Sequence, residues 1–416
     1  MRPTCMLLGV LLLVSASMRS RAECRVRARE GVEWTHLEGA CRRGLAHGQG
    51  KARDKKGHVY TGEFVDGVMH GKGCYTWPSG AKYTGDFDKG EFCGHGVYTR
   101  PDGSRYDGAW QANKRHGHGT YTDAAKVTYE GQWEDDEMSG RGVLRWTSGQ
   151  VYTGLFSGGK PHGKGAMKWP DGRSYEGDFR EGKMHGQGRY LLQDGRVYTG
   201  QWRDDERSGE GVYTWPDGKR YEGAWAAGKP HGHGVKTWPG GRRYDGDWRA
   251  GKRTGHGILT LPDGTRYEGD FVAGEKHGQG ELRWPDGREY KGGFSKGKKH
   301  GKGVFTWPDG KRCEGSWKDD RRVGHGQMVW PDGWKYDGEW GNDMRNGKGA
   351  LVAPSGEKYV GQFKDNKKHG RGILSLPDGT VYEGQFANDR PHGRGVYTTA
   401  DGKRIKGRWK DGQQVE

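Results

Sequence analysis

The chain has 416 residues and a formal net charge of +16, and 80 of its residues are Gly. Hydrophobic residues make up 31% and charged residues 30%, too little aliphatic material for several packed cores, whereas 18 Trp, 20 Tyr and 10 Phe argue against disorder, which is poor in aromatics. So much Gly in an aromatic-rich chain points to a short-period architecture with Gly at set places. The excess of Lys and Arg favours anionic partners without choosing among them.

Residues 1–22 carry Arg2, an apolar run from Met6 to Val14 and the small residues Ser20 and Ala22, the layout of a cleavable signal peptide. The run is too short to span a bilayer, so the mature chain is expected to be exported, either extracellular or periplasmic, with a charge of +13 once Arg2, Arg19 and Arg21 are gone. Lipidation at Cys24 is the rival reading, opposed by the charges of Arg21 and Glu23. Cleavage leaves Cys24, Cys41, Cys74, Cys93 and Cys313. That number is odd, so at least one thiol stays free or pairs between molecules. Residues 23–36 are read as an N-terminal cap segment and residues 37–416 as one repeat array.

Within the array, a Tyr-x-Gly-x-aromatic pattern begins at Tyr60 and returns every 23 residues, at Tyr83, Tyr106, Tyr129 and onward to Tyr382. Cys313 and Ile405 hold the same phase, and Leu37 opens a degenerate first copy, giving seventeen units. With the Tyr as position 0, positions 0, 2 and 4 alternate with polar residues as a half-buried strand requires. Position 7 is Gly in ten units and Asn or Asp in seven, the residues that tolerate a left-handed backbone, and marks a turn. Positions 11 and 13 are Gly in every complete unit, position 15 is mostly apolar and position 17 is often Trp. Pro-Asp-Gly then reverses the chain. Each unit is therefore one β-hairpin, with Tyr, Gly and the aromatic of its first strand sharing a face with both glycines, the apolar residue and the Trp of its second. The glycines at positions 2, 11 and 13 are expected to let rings cross bare backbone, so that Gly186→Val or Gly232→Val collides with a ring.

The sequence Tyr175-Glu176-Gly177-Asp178-Phe179, followed by His185-Gly186-Gln187-Gly188 and closed by Pro-Asp-Gly, resembles the MORN (membrane occupation and recognition nexus) repeat, and the resemblance covers residues 37–416. It implies an all-β fold in which consecutive antiparallel hairpins join edge to edge into an elongated single sheet, a solenoid-like array with contacts only between neighbours. Similar arrays occur in junctional membrane proteins, plant phosphoinositide kinases, a histone methyltransferase and cytoskeletal scaffolds, where chemistry sits in a separate domain. The resemblance therefore implies a non-catalytic scaffold for protein partners, with phospholipid binding as a property of some members. The accessory chain of an enzyme is the remote third reading.

No cofactor, metal or nucleic acid is expected. Ten His residues stand at position 10 and five at position 12, but equivalents in successive hairpins lie about 10 Å apart, too far to share an ion. The Gly-x-Gly sequences run into strands rather than opening helices, and no Gly-x-x-x-x-Gly-Lys-Ser/Thr occurs. Basic residues keep phase at positions 8 and 9 (Lys114, Arg115, Lys252, Arg253, Lys298, Lys299, Arg321, Arg322, Lys367, Lys368) and before the Tyr (Arg105, Arg220, Arg243, Arg266, Arg312). Stacked, these read either as a solvated rim that keeps the sheet soluble or as stripes that, with the aromatic face, contact an anionic phospholipid or glycan surface. Among the thiols, Cys24 and Cys41 are read as a bridge between cap and first unit. Cys74 and Cys93 lie beyond bridging reach on successive second strands, and Cys313, at a Tyr position, is expected buried and reduced.

Overall fold

A computed structural model describes residues 24–27 and 33–415; the proposed signal peptide, residues 1–22, lies outside the described residues. The described residues form 34 strands and no helix, and thus no helix long and apolar enough to cross a membrane. Contacts group the chain up to Asp171, with Phe179–Gly182, into one unit, and Gly172–Asp178 with Lys183–Glu416 into another. In the first, every strand from Trp34–Arg42 to Lys160–Lys168 pairs antiparallel with the next. In the second the same holds from Lys183–Leu191 through Arg404–Lys410 to Gln413–Gln414.

One repeat stands for the rest. Strand Arg105–Gln111 meets Lys114–Thr122 with Gly108 opposite Gly119 and Tyr106 opposite Tyr121. The turn between them takes positive φ at two successive residues, Ala112 (49°) and Asn113 (68°), a type I′ turn whose twist suits an antiparallel hairpin. Position 6 is left-handed as well as position 7, even where it is Ala, Lys or Glu. At the other end, the N–H of Trp238 donates to the Arg242 carbonyl (2.9 Å) and that of Gly241 returns to the Trp238 carbonyl (3.3 Å), closing the loop that Pro and Gly begin.

The second strand departs from simple alternation. The register slips between Gly108 and Trp110, so that Trp110 faces Arg115 rather than Gly117. The cause is a β-bulge at positions 10 to 12, where the position-11 glycines adopt φ between 53° and 96° in all sixteen complete units, a conformation open to Gly at little cost. One expectation is corrected by this. Position 11 does not lie under a ring: a Cβ on Gly186 would meet the Asp178 side chain and one on Gly232 the Cβ of Ala224. The bulge takes in two extra residues, positions 10 to 12 standing opposite position 3 alone, so side-chain parity is kept behind it and position 9 turns toward the rings with positions 13 and 15.

Positions 2 and 13 do carry the packing role. A Cβ on Gly257 would lie 2.5 Å from the Tyr244 hydroxyl oxygen, and one on Gly246 2.5 Å from the Gly257 Cα. The Tyr side chain folds across both glycines and donates its hydroxyl to the carbonyl at position 3, as Tyr244 does to Asp247 (3.0 Å) and Tyr106 to Ala109 (2.9 Å). Each Tyr meets two position-4 rings edge-on, its own and the next unit's: Tyr106 lies 5.2 Å from Trp110 and 5.3 Å from Trp133, the geometry aromatic quadrupoles favour. Thirteen of these Tyr are less than 2% exposed, so positions 0 and 4 form a continuous core in each unit, sealed by neighbouring hairpins. Burial raises the Tyr106, Tyr152, Tyr244 and Tyr359 hydroxyls to about 12.

At the N-terminal end Cys24 is bonded to Cys41, Cα atoms 5.6 Å apart. The Arg25 N–H donates to the Gly44 carbonyl (2.9 Å) and that of Arg27 to Gly67 (2.8 Å), laying the cap segment along the first turns. Cys74 and Cys93 are free, and Cys313 is free and buried.

Candidate interaction surface

Strand alternation puts the two basic columns, adjacent in sequence, on opposite faces. Position 8 (Lys114, Lys252, Lys298, Arg321, Lys367) is exposed. Position 9 (Arg115, Arg253, Lys299, Arg322, Lys368) folds onto the core aromatics. Arg115 stacks 4.1 Å from the Trp133 ring centroid, Arg322 4.2 Å from Trp340 and Lys299 4.7 Å from Trp317, each ring belonging to the next hairpin. Cation–π contacts of this kind strengthen as water is excluded. Burial lowers the pKa of Arg253 and Lys299 accordingly. The guanidinium ends reach the following turn, with Arg115 donating to the Asp136 carbonyl (2.7 Å) and Arg322 to that of Asp343 (2.9 Å).

That turn answers in kind. All seven units with Asn or Asp at position 7 use its side-chain oxygen to accept the N–H of position 9 in the preceding hairpin, as Asp343 does from Arg322 (3.0 Å) and Asp389 from Lys368 (2.7 Å). Position 9 therefore works as a clip between repeats. Sequence reasoning missed this, although one signal was present: position 9 never carries Asp or Glu, while position 8 mixes Glu with Lys.

The arginines before the Tyr are paired on the opposite, polar face. Arg105 pairs with Asp107, Arg220 with Glu222, Arg243 with Asp245, Arg266 with Glu268 and Arg312 with Glu314. The acid also takes a His from the preceding hairpin, His95 to Asp107 at 2.9 Å and His233 to Asp245 at 3.0 Å. Four of the five position-12 histidines, His95, His233, His256 and His325, thus face such an acid, and no group of three or more His, Cys, Asp or Glu among the described residues could hold a metal ion.

Inside the second unit the polar face carries an open groove in three consecutive sections of about 490, 540 and 1140 Å³. The first two share His325 and the last two share Arg371, so the groove is continuous from Lys291 to Val415. Its floor is the glycine backbone of positions 2 and 13, and its walls are outward side chains at positions 1, 3, 12 and 14. Val360 (45% exposed), Ile373 (42%) and Val415 (56%) open into it.

The MORN repeat profile matches sixteen consecutive segments, from residues 38–59 to 382–404, each spanning one hairpin of the geometry just described. The chain belongs to the MORN repeat family. Repeats of this family are in general protein- or lipid-binding scaffolds and in general non-enzymatic. A comparison with curated proteins returned no match. Among solved structures, this MORN array is similar to the G-box domain of the microcephaly protein CPAP (14% identity over 60% of this chain and 100% of that one, TM-score 0.19). It is also similar to the TCP10c domain of Drosophila melanogaster Sas-4 (13%, 37% and 93%, TM-score 0.23) and to a streptogramin B lyase (13%, 85% and 94%, TM-score 0.12). At such scores nothing about this chain follows from them.

Proposed function

We propose that this MORN array is a non-catalytic scaffold that binds a protein partner outside the cytoplasm, the partner lying along the polar-face groove between Lys291 and Val415. The observation that supports this is the continuity of the groove across successive hairpins, with Val360, Ile373 and Val415 exposed inside it. Single apolar side chains on a surface are ordinary; three along one groove form a track. The competing reading, an anionic phospholipid or glycan surface held by the basic rows and the aromatic face, has less to draw on. Position 9 is engaged with rings, the arginines before the Tyr are engaged with carboxylates, and the rings at positions 0 and 4 are buried. Export is supported by the composition of residues 1–22.

A photo-crosslinking residue at Val360, introduced into the full chain expressed in its own organism, tests the proposal. A discrete protein adduct is expected from that position and not from Trp284, which lies on the opposite face. Adducts with lipid or glycan alone, or equal protein adducts from both positions, would overturn it.

A further inference from the structure

We infer that the segment bound in this groove is acidic and adopts a polyproline-II conformation with a three-residue period, each triplet presenting one apolar side chain and one carboxylate. This rests on the reading of the groove as a protein-binding site and names the partner's chemistry. Four of the five hairpins along the groove offer a cation at position 12 beside an apolar side chain at position 14, Lys302 with Val304, Lys348 with Ala350, Arg371 with Ile373 and Arg394 with Val396; the Cys313 hairpin has His325 and Gln327 there. The two positions recur once per hairpin, every two strands, or about 9.6 Å. Three residues of polyproline II advance about 9.3 Å. Over four hairpins that mismatch accumulates to about 1 Å, whereas two turns of an α-helix, about 10.8 Å, drift by about 5 Å. A β-strand repeats its face every 6.7 Å or so and falls out of step at the first hairpin.

The floor points the same way. Its glycines pair with one another within the sheet, Gly361 with Gly372 and Gly372 with Gly384, so it suits a ligand whose backbone needs no ladder, as polyproline II does not. Charge supplies the acidic half. In five repeats the residue before the Tyr and the residue after it form an Arg–carboxylate pair, but in the last repeat they are Arg404 and Lys406, which cannot pair. With Arg371, Arg394 and Lys410 they leave Glu383 as the acid of that section. A sulfated glycan or a lipid head group would use these cations and leave Val360, Ile373 and Val396 without a role.

The test is fluorescence anisotropy of the full mature chain with a labelled (Val-Pro-Glu)₅ peptide, against the same composition scrambled to break the three-residue period, (Val-Pro-Lys)₅ and a sulfated oligosaccharide. The expected order places the periodic acidic peptide first, weakening as salt rises. Changing Arg394 and Lys406 to Glu, or separately Val360 and Ile373 to Ser, should each cost at least about fivefold in affinity; all four side chains are exposed or open into the groove, and unaltered thermal melting confirms each variant's fold. Equal binding of the scrambled peptide, stronger binding of the oligosaccharide, or no loss in either double variant overturns the inference. If these results appear while Val360 still crosslinks to a protein, the partner chemistry is wrong and the scaffold reading stands. Loss of that crosslink instead removes the scaffold reading itself.

Discussion

Substituting Ala at Gly257 and at Gly255 separates the two roles that glycine plays in every hairpin. At Gly257 the new methyl carbon would sit 2.5 Å from the Tyr244 hydroxyl oxygen and 2.7 Å from two ring carbons, so the ring must retreat by the better part of an ångström. It is held by its bond to the Asp247 carbonyl (3.0 Å) and by edge contacts with Trp248 (5.2 Å) and Phe271 (5.1 Å). Losing that hydrogen bond costs about 1 kcal/mol and overpacking a further 1–3 kcal/mol or so, a total of about 2–4 kcal/mol. At Gly255 the backbone is left-handed (φ 55°) and the nearest atoms belong to the Asp247 carboxylate, an exposed group that can swing away while giving up the His256 N–H (3.2 Å). The backbone term is about 1–2 kcal/mol, with a few tenths added for the exposed hydrogen bond. Hydrogen exchange of peptides spanning residues 244–272 in the full chain resolves the two locally: Gly257→Ala should lower protection some 30- to 1000-fold, and Gly255→Ala about 10- to 50-fold. A Gly255→Ala effect equal to or larger than that of Gly257→Ala would refute the assignment of ring packing to position 13 and of the bulge to position 11.

The two basic columns should behave differently: Lys299→Gln with Arg322→Gln is expected to lower thermal stability by about 1–2 kcal/mol through lost stacking and clip contacts, while Lys298→Gln with Arg321→Gln leaves melting unchanged. Alkaline titration probes the buried Tyr row, because a raised folded pKa means the neutral hydroxyl is favoured by folding. That stability is fully present below the unfolded value near 10 and is lost as pH climbs toward the folded value of about 12 for Tyr106, Tyr152, Tyr244 and Tyr359. Tyrosinate absorbance should therefore lag behind free Tyr and rise together with loss of β circular dichroism; independent, unlagged titration near 10 would contradict the burial. Alkylation under native conditions should modify Cys74 and Cys93 and spare Cys313, which is 1% exposed with its thiol pKa raised by burial, and non-reducing peptide mapping should recover Cys24 joined to Cys41.

The sequence by itself determined the repeat, the hairpin, the face of strand one and both turns, because each of these depends on residues within a few positions of one another. Tyr106, Gly108 and Trp110 alternate without interruption, Asn113 tolerates its positive φ, and Pro101-Asp102-Gly103 can only reverse the chain. The tertiary structure decided the bulge and the contacts between hairpins. A glycine such as Gly117 is equally at home as a flat strand residue and in the left-handed region, and only pairing with the neighbouring strand selects between them. The bulge takes in two extra residues and so leaves Arg115 on the ring face and Lys114 on the other; what stacking added was Trp133 of the next hairpin for Arg115 to cover. The clip from Asp343 to Arg322 and the ion pairs from His95 and His233 to the next hairpin link residues 21 or 12 apart in sequence, invisible to any local period. The groove was half legible: Val360, Ile373 and Val396 stand at outward positions where a solvated face calls for polar residues. That they line one continuous track with Arg371 and Arg394 required the hairpins to be stacked, since a groove across strands is built from side chains that share a register and never a neighbourhood in sequence.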